Sequence, residues 1–327
     1  MASSSRHHLV GAFFMGEKTG LSSRWSAFNN CTHPLTEKVS GGRIFGLMQE
    51  RFPNLIIGGA PKCGTSSLYF WLSAHPEVFG SPKKETFFFA DKVNRFNATA
   101  NVHEHELDTY LQFFKDAGDA KIRFEATAHY LYEEQALKAF SQAENPPKMI
   151  FLFREPSKQM YSHYKMEKYR TKRVDMPLSE YIKLPKIEMY VDYASYVKKW
   201  VDAMPEGHVR IWSFEDFMSR KVEVMQEIAD YLGVDPSFYT NFDFEHRNES
   251  VAIRSGVLHQ LGLRLQPLIP HFIQKMLLPV YMKLNSGGRA PDDENDAAVI
   301  AEFKANHAQV GEDLKALFPD IHIEKWR

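Results

Sequence analysis

Short apolar runs alternate with longer stretches of helical periodicity along most of this chain. Runs near Asn54–Ile57, Lys121–Glu125, Met149–Phe153 and Val209–Ser213 read as strands, with a shorter one at Val78–Phe79. Between them, apolar positions recur at helical spacing over Ser66–Ala74, Glu106–Asp116, Leu131–Ala143, Ser157–Lys168, Tyr193–Ala203, Glu215–Leu232 and Asp296–Leu317. Strands that alternate with helices pair in parallel and carry helices on both faces. The pattern therefore predicts an α/β fold of three layers, a central parallel sheet flanked by helices. His75-Pro76 stops the first helix, because proline can neither donate to it nor continue it. Gly233 suits a helix C-cap, and the Gly-, Asp- and Asn-rich segment Asn285–Asp296 suits a loop before the last helix. Residues 1–50 are Ser- and Gly-rich without sustained periodicity and read as an amino-terminal arm, leaving 51–327 as the folded domain.

The turn between the first strand and first helix holds the most specific chemistry, Ile57-Gly58-Gly59-Ala60-Pro61-Lys62-Cys63-Gly64-Thr65-Ser66-Ser67-Leu68. Such a P-loop-like turn aims backbone N–H groups and the positive end of a helix at one spot, which suits a phosphate. In a Walker A loop the lysine directly follows the last glycine and is followed by a magnesium-binding hydroxyl. Here Lys62 precedes Gly64, and the strand Met149–Phe153 ends in a cation, Arg154, where a magnesium site needs an anion. The loop thus points to a phosphate handled without metal. The thiol of Cys63 reads as a small tolerated residue within this turn rather than a nucleophile.

A second motif, FLFREPSKQMYSHY, runs from Phe151 to Tyr164. Arg154 closes a strand, Pro156 suits the first turn of a helix, and Ser162 lies eight residues past the arginine. An arginine fork with a nearby hydroxyl makes a seat for a phosphate monoester. Ligands on parallel sheets sit at the carboxyl ends of the strands, so the glycine loop and Arg154 are expected to share one crevice.

Composition narrows the remaining classes. In 327 residues with 44% hydrophobic content there is ample material for a core, while a net charge of −1 argues against binding nucleic acid by bulk electrostatics. Two cysteines, Cys31 and Cys63, exclude a disulfide framework and a cysteine-rich zinc site. The greasy stretch Val257–Leu284 is broken by charges and prolines and reads as a bent amphipathic segment, not a membrane span. Sequons occur at Asn30, Asn97 and Asn248.

Taken together, a P-K-x-G-T-[ST]-S-L loop after one strand, then R-[DE]-P after another with a serine eight residues past the arginine, resembles the sulfotransferase family. The resemblance runs roughly from Phe52 to Trp326 and is nearest to the branch holding heparan sulfate and related carbohydrate sulfotransferases. It implies 3′-phosphoadenosine 5′-phosphosulfate as sulfuryl donor and no metal. It also implies that Lys62, Cys63, Gly64, Thr65, Ser66 and Ser67 hold the 5′-phosphosulfate, and that Arg154 and Ser162 hold the 3′-phosphate. Lys84-Glu85-Thr86-Phe87-Phe88-Phe89 is similar to the segment carrying the family's base, which makes Glu85 the general base beside Lys62 as the second catalytic residue. The late donor-contacting Lys-Gly-Arg is missing in that form, and Arg254 is its nearest counterpart.

Departures bear on the acceptor. Glu125-Ala126-Thr127-Ala128 stands where animal carbohydrate enzymes often carry E-K-T-P, and the missing lysine argues against a heparan-like acceptor. His129 is the only match for the histidine base of the cytosolic small-molecule branch. The basic run Lys165, Lys168, Arg170, Lys172, Arg173 is either a solvated helix face or the wall of an acceptor cleft. The expected partner is therefore a hydroxyl or amine compound, a glycan, sterol or phenol, and no nucleic acid. Few cysteines and no evident anchor favour the cytoplasm, with the Golgi lumen as the alternative suggested by the nearest branch. Two other readings stay open: a P-loop phosphotransferase and a nucleotide-binding relative without activity.

Overall fold

Leu55–Gly59 (β1) forms the centre of the sheet, and all five of its residues are buried. The computed structural model describes residues 51–244, 251–253, 277, 281, 286–289, 293 and 295–326. Met48–Arg327 make up one compact unit, and the arm expected over residues 1–50 lies outside the described residues. After β1 come α1 (Thr65–Ser73), β2 (Val78–Gly80), α2 (Leu107–Leu111), β3 (Ile122–Ala126), α3 (Glu134–Ser141) and β4 (Lys148–Phe153). Then follow α4 (Pro156–Lys165), α5 (Leu178–Tyr181), α6 (Pro185–Val191), α7 (Tyr193–Ala203), β5 (Val209–Ser213), α8 (Phe214–Ser219) and α9 (Lys221–Leu232). The chain closes with an antiparallel pair, β6 (Val251–Ile253) and β7 (Ser286–Arg289), and with α10 (Asp296–Asn306) and α11 (Gln309–Leu317).

Five strands pair in the order β2-β3-β1-β4-β5, every neighbour parallel, as the alternating pattern predicts. The apolar strand residues explain why both faces need covering: Met149 through Phe153 of β4 are wholly buried. Leu68, Trp71 and Leu72 of α1 and Val197 and Trp200 of α7 join them in one core. Burying each such side chain contributes about 1.5–3 kcal/mol before the entropy of ordering is subtracted.

Register aligns the strand ends that matter. Ile57 lies opposite Ala126 of β3 and Ile150 of β4, and Phe153 lies opposite Ser213 of β5. The glycine loop, Thr127–His129, Arg154 and Phe214 consequently emerge side by side from one edge of the sheet. Two expected helices are divided: Glu215–Leu232 breaks at Arg220 into α8 and α9, and Asp296–Leu317 breaks at His307–Ala308 into α10 and α11. The expected loop at 285–296 instead contributes β7. Helix α4 continues past Lys165 as a π-helical turn over Met166–Arg170, which carries part of the basic run. Among the described residues no helix is long and apolar enough to cross a membrane.

Candidate active site

Two motifs separated by some ninety residues in sequence meet at the carboxyl end of β1. Pro61 O accepts from Gln159 Nε2 of α4 at 3.1 Å, and Lys62 O accepts from Arg154 Nη1 at 3.4 Å. Gly64 precedes the first turn of α1 at φ 94°, the left-handed region that costs glycine nothing. A Cβ there would stand 2.7 Å from Phe214 Cδ2, so a bare backbone is needed for packing as well. No side chain caps α1. Thr65 is buried, Ser66 and Ser67 are half-buried, and none of their hydroxyls is hydrogen-bonded among the described residues.

Cations crowd this bay, and neither Lys62 nor Arg154 forms an ion pair among the described residues. Burial and the neighbouring charges of Arg170 and Arg154 lower the Lys62 ammonium from its ordinary value to about 8. Arg154 lies over the Phe214 ring at 4.5 Å, and its Nε is buried without a partner. Glu155 does not neutralise it: its carboxylate caps α4, accepting from Ser157 N and Lys158 N at 3.1 Å each. Cys63 is fully buried, its thiol pushed up to about 12 chiefly by that burial, so it is inert as a nucleophile. Ser162 lies half-buried on α4, and its side chain makes no hydrogen bond among the described residues. Arg254 lies outside the described residues.

Glu85 occupies a turn beside this bay. Its Oε2 accepts from Ala128 N at 3.1 Å and its Oε1 from Lys84 Nζ at 2.5 Å. Ala128, whose N–H holds Glu85, also brings its carbonyl oxygen to 3.0 Å from where a Cβ on Gly59 would stand, so the turn and the start of the glycine loop are neighbours. Glu85 and Phe87 hold φ values of 61° and 53°, rare for residues with side chains. Of the three phenylalanines after it, only Phe87 stays on the site side, stacked on Phe96 at 5.5 Å and close to His129 at 5.5 Å. Phe88 and Phe89 turn into the core against Tyr110. His129 has its Nδ1 buried without a partner, and burial lowers its imidazole against the opposing pull of Glu85.

Residues 52–252 match the family described as Sulfotransferase domain. The chain belongs to the sulfotransferase domain family. It is 26% identical over 206 residues to the human bifunctional heparan sulfate N-deacetylase/N-sulfotransferase 3, covering 58% of this chain and 23% of that protein. The mouse N-deacetylase/N-sulfotransferase 1 is 24% identical over 202 residues, 57% of this chain and 22% of its own length. The sulfotransferase therefore spans less than a quarter of either relative. Among solved structures, a sulfotransferase from Alicyclobacillus acidocaldarius superimposes with a TM-score of 0.51 at 25% identity, over 66% of this chain and 92% of that one.

Family membership implies 3′-phosphoadenosine 5′-phosphosulfate as the donor, and the residues of this sulfotransferase suit it. A polyanion would supply the countercharge that Lys62 and Arg154 lack and the acceptors that the open α1 terminus and Arg154 Nε want. Sequence reasoning brought the loop and Arg154 together correctly but did not single out Phe214 or Arg170. An aromatic directly after the apolar run Val209–Ser213 was the available signal for the first. The arginine belongs to the basic run already noted, and its charge reaches Lys62. Asn97, one of the three sequon asparagines, is fully buried and donates through Nδ2 to Phe87 O and Lys92 O, so the fold uses that amide itself.

Proposed function

We propose that this enzyme transfers the sulfuryl group of 3′-phosphoadenosine 5′-phosphosulfate to a hydroxyl or amine of a glycan or small lipophilic acceptor, with Glu85 as general base. One observation supports the reading most: Ala128 bonds the Glu85 carboxylate through its N–H and lies against Gly59 of the loop whose Lys62 has no ion-pair partner among the described residues. The donor supplies an activated sulfuryl group whose departure leaves negative charge on a phosphate oxygen. Lys62 and the amides at the start of α1 would hold that charge, and Arg154 with Ser162 would hold the 3′-phosphate. Glu85, fixed by Ala128 N, would take the acceptor's proton.

The acceptor side is lined by Phe87 stacked on the exposed Phe96, with the Arg95 guanidinium over Phe96 at 4.7 Å and Arg173 at 5.7 Å. An aromatic face flanked by guanidinium groups suits a ring-bearing acceptor, sugar or sterol alike. The N-sulfotransferase activity in the relatives' names adds an amine to the candidates. A second reading makes His129 the base, favoured by its unpartnered Nδ1 beside Phe87.

Calorimetry and radiolabelled transfer test the proposal together. 3′,5′-Bisphosphoadenosine should bind well ahead of AMP, and labelled sulfate should reach at least one member of a panel of phenols, sterols and N-desulfated heparan oligosaccharides. Glu85→Gln should lower kcat by about 10²–10⁴-fold with donor affinity kept. A near-normal Glu85→Gln with an inactive His129→Gln would transfer the base role to the histidine. Equal affinity for AMP, or no transfer to any acceptor, would defeat the enzyme reading itself.

A further inference from the structure

Glu125 is a carboxylate with no exposure at all, buried at the end of β3 among groups the mechanism above does not use. Its Oε2 accepts from Thr86 Oγ1 at 2.5 Å and Thr127 Oγ1 at 2.9 Å, and its Oε1 accepts from Tyr110 OH at 2.6 Å. Three hydroxyl donors on one side chain are the pattern of an ionised acceptor. Burial nevertheless holds its carboxyl above the ordinary value, against the downward pull of those hydroxyls.

The directions of these bonds form a chain. With its proton given to Glu125, the Thr86 hydroxyl is left as an acceptor, and it takes one bond from Tyr130 OH at 3.0 Å and one from Phe88 N at 3.3 Å. Tyr130 OH in turn accepts from Phe89 N at 3.3 Å, and Thr127 Oγ1 accepts from Phe87 N at 3.5 Å. All three amides after Thr86 therefore end on hydroxyls of this cage. The same segment carries the two left-handed residues Glu85 and Phe87. Such backbone persists only where its surroundings over-determine it. Asn97 closes the opposite side, donating to Phe87 O at 3.0 Å.

We propose that Glu125 is a positioning residue for sulfuryl transfer, acting through the Thr86 hydroxyl to hold the left-handed turn that presents Glu85 to the acceptor. The proposal rests on the assignment of Glu85 as base. Glu85 itself is held by Ala128 N and Lys84 at its carboxylate and by Ala126 O, 2.9 Å from its own backbone nitrogen. The turn that follows it hangs on Thr86, so releasing Thr86 frees the C-terminal side of the turn to shift the carboxylate. Misplacement of a catalytic group by about 1 Å costs roughly 10²-fold in rate.

Thr86→Val, Thr86→Ser and Glu125→Gln, each alone and on a Glu85→Gln background, provide the test. The readouts are labelled transfer to the phenol, sterol and desulfated-heparan panel and calorimetry with 3′,5′-bisphosphoadenosine. Thr86→Val keeps the side chain's shape and should lower kcat by about 10–100-fold while donor Kd stays within about twofold. Thr86→Ser should recover most of that loss. On the Glu85→Gln background Thr86→Val should change the rate by less than about twofold, because residues acting as a unit are not additive. A wild-type kcat in Thr86→Val, or an undiminished penalty on the Glu85→Gln background, would overturn the positioning role and leave the base standing. Near-normal turnover in Glu85→Gln alone would remove the base, and this role with it. Independently of any acceptor, the carboxyl carbon resonance of Glu85, assigned by its loss in Glu85→Gln, should shift in Thr86→Val and return in Thr86→Ser. An unmoved resonance would also overturn the proposal.

Discussion

The glycine loop and the Glu85 turn both bend the backbone into left-handed conformations, at Lys62 and Gly64 in the first and at Glu85 and Phe87 in the second, and they differ in what stands around those bends. Gly64 takes φ 94° because it has no Cβ, and the Phe214 ring fills the room a side chain would need. Glu85 and Phe87 take φ 61° and 53° with full side chains, held by hydroxyls and a buried carboxylate reached from β3. The polar groups differ in the same sense. Around the loop the Arg154 Nε and the first-turn hydroxyls are unpartnered, and Lys62 is crowded by like charge. Around the turn the hydroxyls and the carboxylate of the cage are satisfied, while His129 Nδ1, beside Phe87 on the site side, is not. Unpartnered polarity marks where a ligand completes the bonding, and saturated polarity marks where the protein completes it.

The largest effect expected from this contrast is at Lys62. Lys62→Ala should lower kcat by about 10²–10³-fold, the loss typical of removing a preorganised donor from developing charge. Steady-state kinetics with labelled donor would measure it, and a loss confined to KM would mean that the lysine only tethers the ground state. Arg154→Ala comes next. It should cost roughly 1.5–3 kcal/mol of binding to 3′,5′-bisphosphoadenosine and leave AMP affinity nearly unchanged. Calorimetry with both ligands isolates the difference. Equal losses for the two would place the guanidinium elsewhere than the 3′-phosphate.

Gly64→Ala tests the packing side of the comparison. The left-handed backbone and the close Phe214 ring together should cost about 1–3 kcal/mol, read as a lower Tm in the donor-free protein. The Glu85 turn should be indifferent to this change. A Gly64→Ala protein of wild-type Tm would show that the loop is not rigid at that point.

Much of the donor bay was legible because its parts are local. A glycine loop between an apolar run and a helix, and an arginine before Glu-Pro, each carry their geometry within a dozen residues. Strand register then brings them together, as parallel α/β topology requires. The cage around Glu125 was not legible, because Thr86 and Tyr110 are distant in sequence from Glu125 and Tyr130, and the motifs that hold Thr86 and Glu125 carry no signal that the two side chains meet. The helices α5 and α6 were hidden for a different reason. Pro177 immediately precedes α5 and Pro185 is the first residue of α6, positions that proline fits well, so each of these short helices opens on a residue that is also common in loops. Glu215–Leu232 and Asp296–Leu317 kept their helical pattern across breaks because periodicity does not register a kink of one or two residues.

The smallest predicted effect is a pH dependence, and it separates a crowded lysine from an ordinary one. In the donor-free protein the Lys62 ammonium titrates at about 8, lowered by burial and then by Arg170 and Arg154. A bound polyanion favours the charged form and raises that value. Below pH 8 the lysine is protonated both free and bound, and binding of 3′,5′-bisphosphoadenosine should leave its charge unchanged. Above pH 8 the free protein has lost the proton and binding must take one up, so affinity should fall as pH rises, by at most about tenfold per unit. Calorimetry at pH 9 in two buffers of different ionisation enthalpy should therefore register uptake approaching about one proton. Near pH 6 the ligand's own phosphate, with a second pKa of about 6, would release protons instead, which confines the clean comparison to pH 7.4 and above. Lys62→Arg keeps its charge throughout this range and should bind with no such slope. A wild-type protein that binds equally well at pH 7.4 and 9 would mean that Lys62 is no more strained than a surface lysine, and the contrast between the two turns would then rest on Arg154 and the hydroxyls alone.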